Sequence, residues 1–195
     1  LGEYTALCAA NVFSLEDGIR IVAKRGELMQ KASLAHPGAM IAIIGLEHQQ
    51  VEEICQKITA FVRPVNYNCP KQIVISGTPE GVQEAATICL EQGAMKAIPL
   101  NTSGPFHTEL IADAAAEMAD YLSQFSFQKP TIPVYTNRTG ELLPPETNWQ
   151  QHLEQHMISP VKWQKTIENM LQQEITVFAE TGPGKTLTGF NRRIN

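Results

Sequence analysis

The chain has 195 residues, enough to bury one core of ordinary size or two small ones. Hydrophobic residues make up 43% of it and charged residues 18%, which is typical of globular and not of disordered proteins. The net charge of −5 argues against general nucleic-acid binding, and no apolar run approaches the roughly 18 residues of a membrane span. With no signal peptide before the first helical pattern and four cysteines outside any CxxC pair, we expect a cytoplasmic protein without disulfides.

Two helical patterns open the chain. LGEYTAL, residues 1–7, predicts a helix that follows Gly2 directly. Residues 16–32 then place apolar side chains at helical spacing, with Ser14 as the expected N-cap and Asp17 at the third helical position. These features predict a long amphipathic helix after the first short one.

The segment from Gly38 to Leu100 alternates between strand and helix patterns. In chain order these are a strand, a helix, two strands, a helix and a strand: AMIAIIGL, HQQVEEICQKITAF, VRPVNYN, KQIVISG, TPEGVQEAATICLEQG and AMKAIPL. The second of these helices has Thr78 as its N-cap and Pro79 at its first position. This β-α-β-β-α-β order over about 65 residues is that of a ferredoxin-like unit.

The rest of the chain predicts a helix from about Thr108 to Phe125, a strand at IPVYTN, a loop rich in Pro and Gly, and two further helices. EITVFAETGPGKTLTGF then predicts a strand, a glycine-rich turn and a helix. The spacing of Gly182 and Gly184 differs from GxxxxGK[ST], so we interpret this turn as structural and not as a phosphate cradle.

Several polar residues have more than one interpretation from local sequence alone. HLEQH puts His152 and His156 on one helix face, where they could hold a metal. No HExxH glutamate and no third ligand accompany them, so we expect no metal site. His107, in SGPFH, could be a solvated or hydrogen-bonded loop residue or a catalytic base, and Arg25 could be a solvated helix cation.

Six segments together carry a family resemblance: LGEYTAL, RIVAKRGELMQ, PVNYNCPKQIVISG, SGPFH, SPVKW and ETGPGKTLTG. Their order and approximate spacing resemble the malonyl-CoA:acyl carrier protein transacylases of fatty-acid synthesis and the related acyltransferase domains of polyketide synthases. The resemblance extends from residue 1 to about residue 193. One such segment would be weak evidence, whereas six in order are specific.

The resemblance implies the catalytic residues of a nucleophile elbow. The family elbow reads GHSLGEY, so we expect the nucleophilic serine before residue 1 and an oxyanion-binding backbone N–H at Leu1. His107 takes the role of the general base. In the family a main-chain carbonyl from the segment before SPVKW orients this imidazole, where relatives often have Gln and this chain has His156.

The resemblance also implies binding residues. Arg25 would hold the malonyl carboxylate through a planar guanidinium fork, and Phe106 would leave no room for an α-methyl group. Asn68 is a candidate substrate contact, although a role in ordering its strand is favoured for Asn66 and Asn68. For docking of an acidic acyl carrier protein, the nearest cations to the GPGK turn are Lys185, Arg192 and Arg193.

The implied architecture is an α/β-hydrolase-like core formed by residues 1–34 and 104–195, interrupted by a ferredoxin-like (βαββαβ) subdomain at 35–103, with the substrate groove between them. Malonyl-CoA and acyl carrier protein are the implied substrate and partner, used in a ping-pong reaction without a further cofactor. Three alternatives stay open: a polyketide-synthase acyltransferase, a hydrolase with the same elbow, and a non-catalytic binding module.

Overall fold

The computed structural model describes residues 2–102 and 104–195. In these residues the helices and strands follow one another as α1 (Gly2–Ala9), α2 (Leu15–Ala35), β1 (Ala39–Ile44), α3 (His48–Lys57), β2 (Val62–Cys69), β3 (Gln72–Gly77), α4 (Pro79–Glu91), β4 (Lys96–Pro99), a 3-10 helix (Glu109–Ile111), α5 (Ala112–Leu122), α6 (Trp149–Ile158), α7 (Trp163–Gln172) and α8 (Thr186–Ile194). Over this part of the chain no helix combines the length and the hydropathy that a membrane span requires.

The four strands form one sheet in the order β2-β3-β1-β4, and every neighbouring pair is antiparallel. Successive side chains of a strand point to opposite faces, so each face has its own apolar set. The face covered by α3 and α4 carries Ile41, Ile43, Ile73 and Ile75. The opposite face carries a smaller cluster of Met40, Ala42, Val65 and Val74.

A second core lies among α1, α2, α5 and α6. Its largest fully buried side chains are Tyr4, Leu7, Ile21, Leu28, Met118, Leu122, Leu153 and Met157. The helix starts predicted at Ser14 and Thr78 are confirmed. The Ser14 hydroxyl accepts the Asp17 N–H at 3.0 Å, and the Thr78 hydroxyl accepts the Gly81 N–H at 3.2 Å. Each cap satisfies an N–H that the first turn of its helix cannot pair.

The sheet and the helical core meet where two chain segments touch. A Cβ atom on Gly38, just before β1, would lie 2.6 Å from the backbone N of Pro105, so only glycine permits this approach. A Cβ atom on Gly104 would lie 2.8 Å from both Ser33 and the ring of Phe106. The loop that carries Phe106 and His107 is therefore packed tightly against the end of α2 and the start of β1.

Three predictions after residue 107 were wrong in detail. The helix expected from Thr108 to Phe125 is divided, because Thr108 caps the 3-10 helix and α5 begins at Ala112. IPVYTN forms only one isolated bridge, between Tyr135 and Leu142. Residues 174–180 form no strand, and Val177 is 87% exposed. A strand needs a neighbour for its backbone hydrogen bonds, and no described segment supplies one to residues 174–180.

Candidate active site

His107 lies in the loop between β4 and the 3-10 helix. Its φ of 61° is in the left-handed region, which residues other than glycine rarely adopt. The hydroxyl of Thr108 donates to the Pro105 carbonyl at 2.5 Å and accepts the Leu110 N–H at 3.3 Å. These two bonds hold the backbone on both sides of His107, so the loop sets the direction of the imidazole.

One ring nitrogen of His107 is paired with the backbone at the end of α6. Nδ1 lies 3.0 Å from the carbonyl oxygen of Ser159, which can only accept, so Nδ1 carries a proton. Ser159 follows the last residue of α6 with φ −107° and ψ 151°, and its carbonyl therefore points away from the helical hydrogen-bond ladder. We predicted a carbonyl from before SPVKW, at the position of His156. The 3.0 Å hydrogen bond is to Ser159, the first residue of SPVKW, and the His156 backbone also acts on His107 through a hydrogen bond.

The surroundings of His107 favour the neutral ring. Removal of the imidazole from water, and then the positive charge of Arg25, lower the pKa of His107 to about 4, although hydrogen bonds to the backbone of Ser159 and of His156 act in the opposite direction. At pH 7 the ring is therefore uncharged, with its proton on Nδ1 and a lone pair on Nε2. A ring in this state can accept a proton, as a general base must.

Arg25 lies on α2 and has no acidic partner within residues 2–102 and 104–195. Its guanidinium lies over the ring of Tyr4, 5.6 Å from the centroid, and its buried Nε has no hydrogen-bond partner among the described residues. Arg20 on the same helix differs, because it is exposed and pairs with Glu16 at 2.7 Å. A partly buried guanidinium that has no carboxylate partner among the described residues is suited to an anionic ligand.

A row of side chains connects Arg25 with His107. The ring of Tyr4 lies edge-on to that of His156 at 5.7 Å between centroids, and His156 lies edge-on to His107 at 5.8 Å. Burial raises the pKa of Tyr4 to about 12 and lowers that of His156 well below its usual value. Near neutral pH both rings are therefore uncharged, and Arg25 and His107 lie at the two ends of one packed row.

Phe106 occupies the boundary between the two parts of the molecule. Its partly buried ring packs both against the helical core and against the sheet cluster that contains Met40 and Val74. The ring is therefore held beside His107 by contacts from both sides. This position is compatible with a core aromatic and also with a side chain that limits the space near the base.

Asn66 and Asn68 lie on the edge strand β2. Asn66 forms a parallel bridge with Val161, in which the Tyr67 N–H donates to the Val161 carbonyl and the Val161 N–H donates to the Val65 carbonyl. These bonds are made by the backbone, so the strand-ordering role of the Asn66 side chain stays a prediction. No hydrogen bond joins Asn68 to His107 or Arg25 in the part of the chain that the structure describes.

The three candidate carrier-binding cations lie on or next to α8. Lys185 precedes the helix and Arg192 lies near its end, and both are exposed. Arg193 donates from Nη1 to the Gln72 side chain at 2.6 Å, which ties α8 to the β2–β3 turn. Gly182 and Gly184 both have positive φ, as a structural turn before α8 requires.

A buried carboxylate next to this site was missed from the sequence. Glu3, on the first turn of α1, is 5% exposed and contacts His152 Nε2 at 2.6 Å through Oε1. Its Oε2 accepts the Asn137 N–H at 2.6 Å and lies 3.8 Å from Nε2 of His156. The signal in the sequence was HLEQH, whose spacing places His152 and His156 on one face of α6.

The sequence predicted no metal site and an oxyanion-binding N–H at Leu1. No group of three or more His, Cys, Asp or Glu side chains within residues 2–102 and 104–195 could hold a metal ion. The predicted oxyanion N–H belongs to Leu1, which lies outside the described residues.

Comparisons with known proteins identify similar sequences over the full chain. A family model described as "Acyl transferase domain" matches residues 1–193. A malonyl CoA-acyl carrier protein transacylase of Bacillus subtilis is 38% identical over 198 aligned residues, which include 100% of this chain and 62% of that protein. The protein of the same name from Escherichia coli K12 is 40% identical and is covered to 63%. The chain thus spans less than two thirds of the length of these relatives.

Solved structures resemble this chain over a similar fraction of their own length. The malonyl-CoA:acyl carrier protein transacylase of Xanthomonas oryzae pv. oryzae has a TM-score of 0.94 at 40% identity, covering 100% of this chain and 62% of that one. A malonyl-transacylase in complex with a type II polyketide-synthase acyl-carrier protein has a TM-score of 0.93 at 37% identity, covering 98% and 63%. The α/β fold of this chain matches these structures.

Proposed function

The chain belongs to the acyl transferase domain family, and we propose on this basis that the whole protein transfers a malonyl group from malonyl-CoA to the phosphopantetheine thiol of an acyl carrier protein. The relatives' names and the solved carrier complex support this substrate and partner. The observation that carries the proposal is the geometry of His107, whose Nδ1 faces the Ser159 carbonyl at 3.0 Å. This bond leaves Nε2 as the proton acceptor.

In the proposed reaction a serine that precedes residue 1 attacks the thioester carbonyl of malonyl-CoA. His107 Nε2 takes the hydroxyl proton, the Ser159 carbonyl keeps the proton on Nδ1, and the N–H of Leu1 stabilises the oxyanion. CoA then leaves with the proton that His107 returns. The carrier thiol attacks the malonyl-serine ester in the same way, with His107 again accepting and returning one proton.

In this proposal Arg25 and Phe106 select the substrate. The guanidinium of Arg25 has no acidic partner in the described chain, so it can hold the free carboxylate of malonyl. Phe106, packed from two sides next to the base, restricts the space at the α-carbon. Asn68 stays a candidate substrate contact from β2.

For the architecture we propose an α/β-hydrolase-like core at 1–34 and 104–195 with a ferredoxin-like subdomain at 35–103 and the substrate groove between them. The strand order β2-β3-β1-β4, with α3 and α4 on one face, supports the subdomain. The position of Phe106 against both cores supports the groove. We also propose a cytoplasmic location, and a reaction that uses no cofactor besides the CoA thioester.

Malonyl transfer in a polyketide pathway is a second candidate function, because one of the similar solved structures is a complex with a polyketide-synthase acyl-carrier protein. The two candidates share every residue role above and differ in the carrier protein that accepts malonyl. Transfer rates to purified fatty-acid and polyketide carriers separate them. A binding module without catalysis would bind malonyl-CoA but would form no malonyl-enzyme.

The test is malonyl loading of the full-length protein, followed by mass spectrometry of the intact acyl-enzyme. We expect His107→Ala to lower the loading rate by about 10²- to 10⁴-fold, the usual contribution of a general base. Because the pKa of His107 is lowered to about 4, the wild-type rate should persist from pH 7 to well below 6.5 and fall only as the ring becomes protonated. Wild-type loading by a folded His107→Ala protein would refute the base assignment.

A further inference from the structure

Glu3 is a buried carboxylate to which the proposed mechanism assigns no role. Its side chain is 1% exposed, and it lies on the first turn of α1, the helix that would follow the nucleophile. Burial of a carboxylate is costly unless hydrogen bonds replace the water that it loses. Glu3 has such bonds, and both come from elements that lead to His107.

The first connection runs through α6. Oε1 of Glu3 accepts from Nε2 of His152 at 2.6 Å, and His152 lies on α6 one turn before His156. The same helix ends at Ser159, whose carbonyl orients Nδ1 of His107. The Glu3–His152 contact therefore sets where α6 lies relative to α1, and α6 sets the direction of the base.

The second connection runs through Asn137. Oε2 of Glu3 accepts the backbone N–H of Asn137 at 2.6 Å, and the side-chain amide of Asn137 lies 3.1 Å from Nε2 of His156. The amide nitrogen can only donate, so His156 accepts at Nε2. The His156 ring lies edge-on to His107 at 5.8 Å, so this connection supports the side of the base.

We infer that Glu3, with His152, is a positioning residue of the acyl-transfer reaction: it holds the nucleophile helix α1 and the base-orienting helix α6 in register. This inference rests on the proposed function. Reacting groups have to be held within about 0.5 Å of their productive positions by the residues that support them, and a displacement of about 1 Å costs roughly 10²-fold in rate. Glu3 acts through His107 and touches no substrate.

The test is a double-mutant cycle in the full-length protein. Glu3→Ala should lower the malonyl loading rate by roughly 10²-fold and leave the KM for malonyl-CoA nearly unchanged, because the lost geometry acts on the reaction and not on binding. In the His107→Ala background the same substitution should cost little more, because the base that Glu3 positions is absent. An equal additional loss in that background would overturn the inference.

Matched variants keep the result interpretable. Glu117→Ala removes an exposed carboxylate that pairs with Lys31 at 2.6 Å between α2 and α5, and it should leave loading unchanged. Glu3→Gln keeps the volume but leaves one acceptor oxygen where Glu3 has two, so one of the contacts with His152 and Asn137 is lost, and His152→Phe removes the His152 contact. These two variants replace Glu3→Ala if that protein does not fold. Wild-type loading rates in both folded variants would also overturn the inference.

A second readout separates this inference from the proposed function. A fluorophosphonate probe reacts with a serine that a base activates, whatever acyl group the protein normally carries. If the wild-type protein transfers no malonyl but is labelled by the probe, the proposed function fails. The double-mutant cycle is then repeated with the rate of labelling as the measured quantity. Positioning by Glu3 then requires slow labelling in Glu3→Ala and no further slowing in the His107→Ala background.

Discussion

At the residue scale, three histidines near the site have different roles because their ring nitrogens meet different partners. His107 faces a carbonyl through Nδ1, His152 faces the Glu3 carboxylate through Nε2, and His156 faces the Asn137 amide through Nε2. A carbonyl and a carboxylate require a proton on the histidine, whereas an amide donor requires a lone pair. Among the described residues, His107 is thus the ring whose proton is held on Nδ1 and whose Nε2 is left as an acceptor, and Arg25 lies at the other end of the same packed row.

The prediction at this scale concerns substrate choice by Arg25. A carboxylate entering a partly dry site loses its hydration and binds well only where a fixed cation replaces that water. Arg25→Ala should therefore weaken transition-state binding of malonyl by about 2 to 5 kcal/mol and affect acetyl little. The measurement is the ratio of kcat/KM for malonyl-CoA and acetyl-CoA in the full-length protein.

Arg20→Ala is the matched control, because Arg20 lies on the same helix but is exposed and paired with Glu16. It should keep the wild-type ratio. Phe106→Ser provides the complementary measurement. It should relax discrimination against methylmalonyl by no more than about 1 to 3 kcal/mol, the value of one methyl group in a pocket, and preserve the need for a carboxylate. An unchanged malonyl preference in Arg25→Ala would make Arg25 an ordinary helix cation.

At the element scale, the loop that carries His107, the proposed base, is held between the α2–β1 junction and the end of α6. Gly38 touches Pro105 on one side, and Ser159 binds His107 on the other. The edge strand β2 also pairs with Val161, two residues after Ser159. The position of His107 therefore depends on the sheet as well as on the helical core.

The prediction at this scale is that Gly38→Ala disturbs both stability and catalysis. Its Cβ would lie 2.6 Å from the Pro105 backbone, and relief of this overlap should cost about 1 to 3 kcal/mol of unfolding free energy and displace the loop of His107. Thermal unfolding and the malonyl loading rate of the full-length protein measure the two effects.

Gly26→Ala is the control for Gly38→Ala. Gly26 lies inside α2, and nothing lies within 4 Å of its added Cβ. The lower backbone entropy of alanine in the unfolded chain should stabilise the protein by about 0.5 to 1 kcal/mol, with no change in loading rate. If Gly38→Ala behaved like Gly26→Ala, the packing of the base loop against β1 would not limit the reaction.

At the scale of the whole molecule, charge would govern the proposed encounter with a carrier protein. The chain has a net charge of −5, so an acidic carrier would meet overall repulsion unless cations gather at the docking surface. Lys185 and Arg192 are exposed at the two ends of α8. Arg193 lies beside them but is engaged by Gln72, so part of its role is to hold α8 against the sheet.

The prediction at this scale is that transfer to carrier depends on salt more strongly than hydrolysis of malonyl-CoA does. Exposed charges are screened over about 8 Å at physiological ionic strength, and steering by them changes the association rate. The double variant Lys185→Ala/Arg192→Ala should lower kcat/KM for the carrier and reduce its salt dependence. Lys31→Ala, which removes an exposed cation paired with Glu117, should change neither. Equal salt dependence of the two reactions would contradict steering.

Short-range features of the fold could be predicted because their causes lie within a few residues. The hydroxyls of Ser14 and Thr78 each accept a backbone N–H from the residue three positions later in the chain. Strand and helix periodicity between Gly38 and Leu100 correctly predicted four strands and two helices in order. The family assignment likewise came from ordered segments, and it is confirmed by the match over residues 1–193.

The sequence by itself thus determined the two capped helix starts, the elements between Gly38 and Leu100, and the family. The tertiary structure alone decided which groups meet. The partners of the His107, Asn137 and His152 contacts are 52, 134 and 149 positions apart in the chain, and only helix packing brings such residues together. The same reason explains the wrong strand at 174–180: an apolar pattern favours an extended backbone, but a strand exists only where another segment accepts its hydrogen bonds.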